Sequence, residues 1–215
     1  MKTQFFTGKG DGGRSSFGNK RLEKDDALFE LLGNLDELNS WFGLCRIEAK
    51  KVFIKKKAGP VRNSPPRKPL GSSGGDEIPN GSGALVLRSL EDLQEDLFIA
   101  QAEIASIGFT YSVKEIPRIT EAKTARLEHM IQKIDALLPT LRNFVLPGGS
   151  ELSAKLDIAR AIARRAERSA IVFGKRAKLS PEFLQFLNRL SSMLFALARY
   201  ANYLLKAKEE HPKYK

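Results

Sequence analysis

Five stretches of this chain carry apolar residues at helical spacing, and the segments between them are rich in Pro, Gly, Ser and Lys. In the first, about 25–50, Leu28, Leu31, Leu32, Leu35, Leu38 and Phe42 recur at the i, i+3, i+4 intervals of one helix face. Gly33 and Gly43 interrupt it on the side of Asp36, each costing about 1 kcal/mol relative to Ala. That cost makes sense if another backbone or a ligand comes close there. The remaining stretches run over about 84–106, 120–138, 152–173 and 181–206. Ser180-Pro181 opens the last with a capping hydroxyl and a proline in the first turn. No segment alternates at strand spacing for long and no repeat stands out. These features predict an all-α, five-helix, up-and-down bundle with an extended glycine-rich N-terminal segment.

The 215 residues, 42% of them hydrophobic, suffice for one sizeable core, so residues 1–215 are read as a single helical domain. Within it, residues 58–83 shift to Pro, Gly, Ser and Lys and are read as a flexible insert. A lone cysteine, Cys45, excludes an intrachain disulfide and argues for a reducing compartment. His129 and His211 are far apart and supply no zinc or haem set, so metal ligands stay undefined. The formal charge of +11 invites a nucleic-acid partner. Much of the excess, however, sits in Lys50, Lys51, Lys55, Lys56, Lys57, Arg62, Arg67 and Lys68 around the insert, where it suits a solvating linker. The aromatics follow core periods and no recognition motif appears, so nucleic acid is not expected. No apolar run reaches bilayer-spanning length and the N-terminus lacks a secretory core, so the expectation is a cytoplasmic protein without a membrane partner.

The fourth stretch is the most specific. At about 100° per residue, Asp157, Arg160, Arg164, Glu167 and Arg168 share one polar stripe, beside an apolar stripe of Leu156, Ala159, Ala163, Ala166 and Ala170. Arg165 points elsewhere. Alanines let a neighbouring helix approach closely, which leaves the arginines at the edge of that contact. Their permanent, forked charge suits phosphate or carboxylate oxygens. The same pattern also fits a solvated face of i,i+4 ion pairs, each worth about 0.2–0.5 kcal/mol.

On the last helix Phe183, Leu187, Leu194, Ala198 and Ala201 form a core side, and Asn188, Ser191, Ser192, Arg199 and Asn202 an adjoining polar line with Phe195 among them. Asn188 fits either a satisfied core amide or a group that orients a ligand. Near the N-terminus, Thr7-Gly8-Lys9-Gly10-Asp11-Gly12-Gly13-Arg14-Ser15-Ser16 offers backbone N–H groups, two cations and two hydroxyls to an anion, with Lys24 in reach. Gly8 to Ser15 nearly satisfies a Walker A pattern with Arg14 for its lysine, but a Walker loop opens a helix inside a parallel sheet, and this chain is helical. A floppy glycine-rich terminus is the bland alternative.

Together these residues resemble the PduO-type ATP:cob(I)alamin adenosyltransferases, the corrinoid adenosyltransferase family. Thr7 to Asp11 resembles its N-terminal glycine motif, Lys24-Asp25-Asp26 its Lys-Asp segment, and Gly33-Asn34-Leu35-Asp36-Glu37-Leu38-Asn39 its G-x-x-D-E-L-N helix. Phe144 to Ser150 resembles the F-x-L-P-G-G-S turn, Ala159 to Arg168 the A-R-x-x-x-R-R-A-E-R helix, and Leu187 to Ser191 the L-N-R-L-S helix. The blocks lie in the family's order.

The resemblance implies a ferritin-like five-helix bundle assembled as a homotrimer with active sites between subunits. It implies a transferase that moves the 5′-deoxyadenosyl group of ATP, with Mg²⁺, to cob(I)alamin or a related corrinoid, releasing triphosphate. By matching positions, Thr7, Gly8, Lys9, Gly10, Asp11, Gly13, Ser15, Ser16, Lys24, Arg164, Glu167, Arg168 and Asn188 would hold ATP. Phe144 would close the lower face of the corrin, with Asp36 and Arg160 pairing across the subunit boundary beside it. Arg164, Lys24, Asp36 and Arg160 would be the catalytic set. A flavin-dependent corrinoid reductase and a cobalamin-dependent enzyme are the implied partners. The chain departs from the pattern where Asp157 replaces a usual His, Ser192 an acidic residue and Ala163 a common Cys. Losing the acid is expected to weaken the corrin pocket, and Asp157 is placed either to compensate by pairing with Arg160 or to quench its charge. A binding protein of the same fold, weak in catalysis, is the alternative reading.

Overall fold

A computed structural model of the chain describes residues 5–54, 81–107 and 116–214. Five helices carry it: α1 (Ala27–Phe53), α2 (Ser82–Ser106), α3 (Glu121–Asp135), α4 (Glu151–Gly174) and α5 (Pro181–Leu205). Residues 58–80 of the expected insert lie outside the described residues. At its far end the insert is shorter than expected, because α2 begins at Ser82. Ahead of α1 stands a feature the sequence reading lacks, a hairpin of β1 (Arg14–Phe17) and β2 (Lys20–Glu23) paired antiparallel in the register Ser15↔Leu22 and Ser16↔Arg21. Its two-residue turn is Gly18-Asn19, with Gly18 at φ 57°. The ring of Phe17 packs edge-on against Phe29, 6.2 Å between centroids, which holds the hairpin to α1.

Local chemistry sets the helix starts. Asp26 accepts the N–H of Leu28, Ser150 that of Ser153 and Ser180 that of Phe183, each satisfying an otherwise orphaned donor. The expected core faces are buried: Leu28, Leu31, Leu35, Leu38 and Phe42 of α1, the Leu156–Ala170 stripe of α4, and Phe183, Leu187, Leu194, Ala198 and Ala201 of α5. Small side chains let α4 sit between α1 and α5. The order of cross-links gives directions. Asn34 meets Ser169 while Glu48 meets Lys155, so α1 and α4 run antiparallel. Asn188 meets Glu167 while the Phe195 ring lies near Arg160, so α4 and α5 do too. Buried Cys45 has its thiol pushed up to about 12 by desolvation, with Lys155 opposing, and stays a neutral packing group.

Two buried carboxylates join the outer helices. Asp96 of α2 binds Lys123 at 2.6 Å and also Arg126 of α3. Glu103 of α2 accepts the main-chain N–H of Ile119 at 2.8 Å, just ahead of α3, and the hydroxyl of Ser180 at 2.9 Å, at the start of α5.

Candidate active site

Between α3, α4, α5 and the segment leading into α4 lies a cavity of about 510 Å³. Ile131, Ile134 and Leu138 come from α3 and its end, Leu141, Phe144 and Val145 from the connecting segment, and Phe195 and Ala196 from α5. Set into these apolar walls are the guanidinium groups of Arg160, Arg164 and Arg199, the hydroxyls of Ser191 and Ser192, and Asp135. Phe144 is 79% exposed, which is a costly position for a ring unless something else covers it.

The turn that carries Phe144 is tightly held. Gly148 and Gly149 have φ of 113° and 96°, a region L side chains avoid. The Gly148 carbonyl accepts from Nδ2 of buried Asn202 at 2.7 Å, and its N–H donates to Asp157 at 3.1 Å. The other oxygen of Asp157 receives Nε of Arg160 at 3.3 Å, and the Arg160 guanidinium lies 6.0 Å from the Phe195 ring centroid. Arg199, 8% exposed, pairs with Glu209 at 3.0 Å and donates to the Pro139 carbonyl. Sequence reasoning placed Arg199 and Asn202 on a polar line. Both are buried in structural bonds, whereas Asn188 and Ser192 of the same line are exposed, so only part of that line meets solvent.

One turn beyond Arg164, Glu167 accepts from Nδ2 of Asn188 at 2.8 Å, and Arg189 donates to Asn188 and to Glu128 of α3. Asn188 is therefore an exposed, bonded amide rather than a core one. Arg168 is not among the residues lining the cavity with Arg160 and Arg164. It lines a separate cleft of about 500 Å³ with Asp25, Glu30, Arg165 and Arg176. Arg165 points away from the Arg160–Arg164 stripe as expected, and the structure turns it to α1, where it binds Asn34 at 2.7 Å and also Glu37. Two residues of the G-N-L-D-E-L-N block thus hold α1 to α4.

The glycine loop is a series of tight turns, Asp11 N–H to Gly8 carbonyl and Gly13 N–H to Gly10 carbonyl, both 3.3 Å. Lys24 is tied to it by its own N–H on Gly13, 2.8 Å, and its ammonium sits 3.2 Å from where a Cβ on Gly10 would stand. Thr7 accepts from the Lys9 N–H, Arg21 donates to the Lys9 carbonyl, and Ser15 and Ser16 stand on β1. None of Thr7, Gly8, Lys9, Gly10, Asp11, Gly13, Ser15, Ser16 or Lys24 lines the cavity of Arg160 and Arg164. Asp36 is exposed on α1 with no ion pair among the described residues, and none of those residues comes within 4 Å of where a Cβ on Gly33 would stand. So the glycine loop and the arginine-edged cavity stand in different places in this chain. What sequence reasoning missed is the α3 wall, whose apolar residues carry no signal separating a cavity lining from a core.

Residues 5–201 match the sequence profile of a family described as cobalamin adenosyltransferase. The chain belongs to that family. The chain is 31% identical over 202 residues to a corrinoid adenosyltransferase of Bacillus subtilis (strain 168), covering 93% of this chain and 86% of the relative. A corrinoid adenosyltransferase of Mycobacterium leprae (strain TN) is 47% identical over 119 residues, 53% of this chain and 62% of the relative. Among solved structures, a variant PduO-type ATP:corrinoid adenosyltransferase from Lactobacillus reuteri, complexed with cobalamin and ATP, superposes with a TM-score of 0.75 at 28% identity, over 98% of this chain and 99% of that one. The five-helix bundle is thus the architecture of a PduO-type corrinoid adenosyltransferase family member. No described helix is long and apolar enough to cross a membrane.

Proposed function

We propose that this protein transfers the 5′-deoxyadenosyl group of ATP to the cobalt(I) of a corrinoid, giving adenosylcobalamin and triphosphate. The supporting observation is an apolar cavity edged by Arg160 and Arg164 with an exposed phenyl ring, Phe144, on its wall. The cavity suits a large flat macrocycle, and the cations suit a polyanion at its rim. In the reaction the cobalt(I) electron pair attacks C5′, a cobalt–carbon bond forms, and the C5′–oxygen bond breaks with its pair leaving on triphosphate. Cobalt is oxidised from (I) to (III) as it binds the alkyl group. Fixed cations stabilise the charge that gathers on the leaving group, and Arg164, Lys9 and Lys24 are the chain's candidates, with the loop from Thr7 to Ser16 adding N–H and hydroxyl donors. Glu167, Arg168 and Asn188 are proposed to hold the rest of the nucleotide. Phe144 covers the lower face of the corrin, keeping a fifth ligand off cobalt.

The separation of the glycine loop from the arginine-edged cavity supports a homotrimer with sites between subunits, in which a partner's glycine loop meets Arg164 and Asp36 meets a partner's Arg160. Gly33 leaves room for that approach. Among the described residues no three acidic, His or Cys side chains gather as a metal site, so none of them forms a cage for Mg²⁺. That fits an ion carried mainly by phosphate oxygens and water. We read residues 1–215 as one domain working in the cytoplasm, with a flavin-dependent reductase supplying cobalt(I) and a cobalamin-dependent enzyme receiving the product. Ser192 on the cavity wall favours one alternative, a protein that holds ATP or a corrinoid without efficient transfer. Mixing purified protein with ATP, Mg²⁺ and cob(I)alamin under strict reduction and following absorbance separates the two. A spectrum that stays that of unalkylated cobalamin would overturn the transferase reading.

A further inference from the structure

Asn188 is exposed on α5, so packing does little to hold its amide, and hydrogen bonds set its rotamer. Nδ2 donates to Oε1 of Glu167 on α4 at 2.8 Å, and Oδ1 accepts from Nη1 of Arg189 at 2.7 Å. Arg189 is itself held, because its Nε donates to Oε1 of Glu128 on α3, also at 2.7 Å. A guanidinium is a planar, rigid fork, so fixing Nε aims the Nη1 arm. Glu128, Arg189, Asn188 and Glu167 therefore form one line of hydrogen bonds across α3, α5 and α4, from carboxylate to cation to amide to carboxylate.

The line gives the amide a direction. With Oδ1 taken by a cation and Nδ2 facing a carboxylate, only one orientation satisfies both neighbours, since a flip would point Oδ1 at Glu167 and Nδ2 at Arg189. The second hydrogen of the amide and the second oxygen of Glu167 have no partner among the described residues. They form an adjacent donor and acceptor, one turn of α4 beyond Arg164. Stability explains the line poorly, because the side chains of Arg189 and Glu128 are 43% and 45% exposed and a half-exposed ion pair adds little to a fold. Arg189 lines neither the cavity of Arg160 and Arg164 nor the cleft of Arg168. Resting on the transferase reading above, in which Asn188 and Glu167 hold the nucleotide, we infer that Arg189 is a positioning residue for ATP. Braced by Glu128, it fixes the amide so that Asn188 donates to the nucleotide and Glu167 accepts from it.

A double-mutant cycle tests this on the full-length protein, with calorimetric titration of ATP and Mg²⁺ giving a Kd for each variant. Arg189→Met is expected to weaken ATP about tenfold, and Glu128→Gln, which loosens the brace, about threefold. In an Asn188→Ala protein Arg189→Met should cost less than about twofold more, because a residue that acts through the amide has nothing left to act on. Arg189→Lys has one point donor in place of the fork, cannot hold Asn188 and Glu128 together, and should fall between Arg189→Met and wild type. Equal weakening by Arg189→Met in both backgrounds would overturn the inference, since a general loosening of α3 against α5, or a direct contact of Arg189 with the nucleotide, adds to the loss of Asn188. Unchanged affinity in Arg189→Met or in Asn188→Ala would overturn it too. The expected coupling in a protein whose wild type binds ATP but leaves cob(I)alamin unalkylated would keep the positioning role and sink the transferase reading. A wild type that leaves ATP unbound would remove both.

Discussion

The carboxylate of Asp157 holds Arg160 through one oxygen, at 3.3 Å from Nε, and the N–H of Gly148 through the other, at 3.1 Å. One side chain therefore fixes both a cation of the cavity and the turn that carries Phe144. Asp157→Ala is expected to raise the corrinoid KM about tenfold, from the loss of a charge-assisted bond, with ATP affinity little changed. Asp157→Asn keeps an acceptor for Gly148 and should fall between. Steady-state kinetics with each substrate varied in turn checks this. A faster Asp157→Ala enzyme would mean that the carboxylate quenches Arg160 instead.

Arg164 is exposed and has no ion pair among the described residues, so its charge is free for a ligand. Arg164→Ala should weaken ATP about ten- to hundredfold, the range of bonds to charged groups. Calorimetric titration with and without Mg²⁺ measures it. A variant that binds as tightly as the parent removes Arg164 from the nucleotide site.

At Gly149 a methyl group would stand 2.8 Å from Nδ2 of Asn202, at a φ of 96°. Gly149→Ala is expected to cost about 1–3 kcal/mol of stability, because the strain and the clash act on one turn. Denaturant titration reads the loss, and an unchanged midpoint would show that the turn reshapes freely.

Lys155 of α4 donates to Glu151 at 2.6 Å and to buried Glu48 of α1 at 2.8 Å. The hydrogen bond to Lys155 holds the Glu151 carboxyl below its usual range, and the bonds to Glu151 and then Glu48 raise the lysine. A lowered carboxyl contributes stability above its unfolded value of about 4.3, lost as pH falls through the folded value. A raised lysine contributes below about 10.4, lost as pH rises through its folded value. Lys155→Met should therefore lower the melting temperature by about 2–4 °C near neutral pH, with the gap from wild type closing toward pH 3. A gap that persists undiminished in acid would place the effect in packing rather than charge.

The helices were legible because each presents an apolar stripe over many turns, and the cap at Ser180 is short-range chemistry. Arg165 was separable from its neighbours because a 3.6-residue period puts it off their stripe. The hairpin was not legible: four-residue strands give too little alternation to detect, and the Gly18-Asn19 turn is a weak signal alone. The split between Arg164 and Arg168 was also hidden. They differ by about 40° around α4, and only the positions of α1 and α5 decide which side each joins. Asp36, Gly33 and the glycine loop could be recognised by motif, and in the proposed trimer their surroundings come from a neighbouring subunit.

Glu103 ties Ile119, two residues ahead of α3, to Ser180, the cap of α5. With Asp96 holding Lys123 and Arg126 further along, the cavity wall that α3 supplies is anchored to α2 and to the start of α5 by two buried carboxylates, so loss of either should loosen that wall before it touches the arginines opposite.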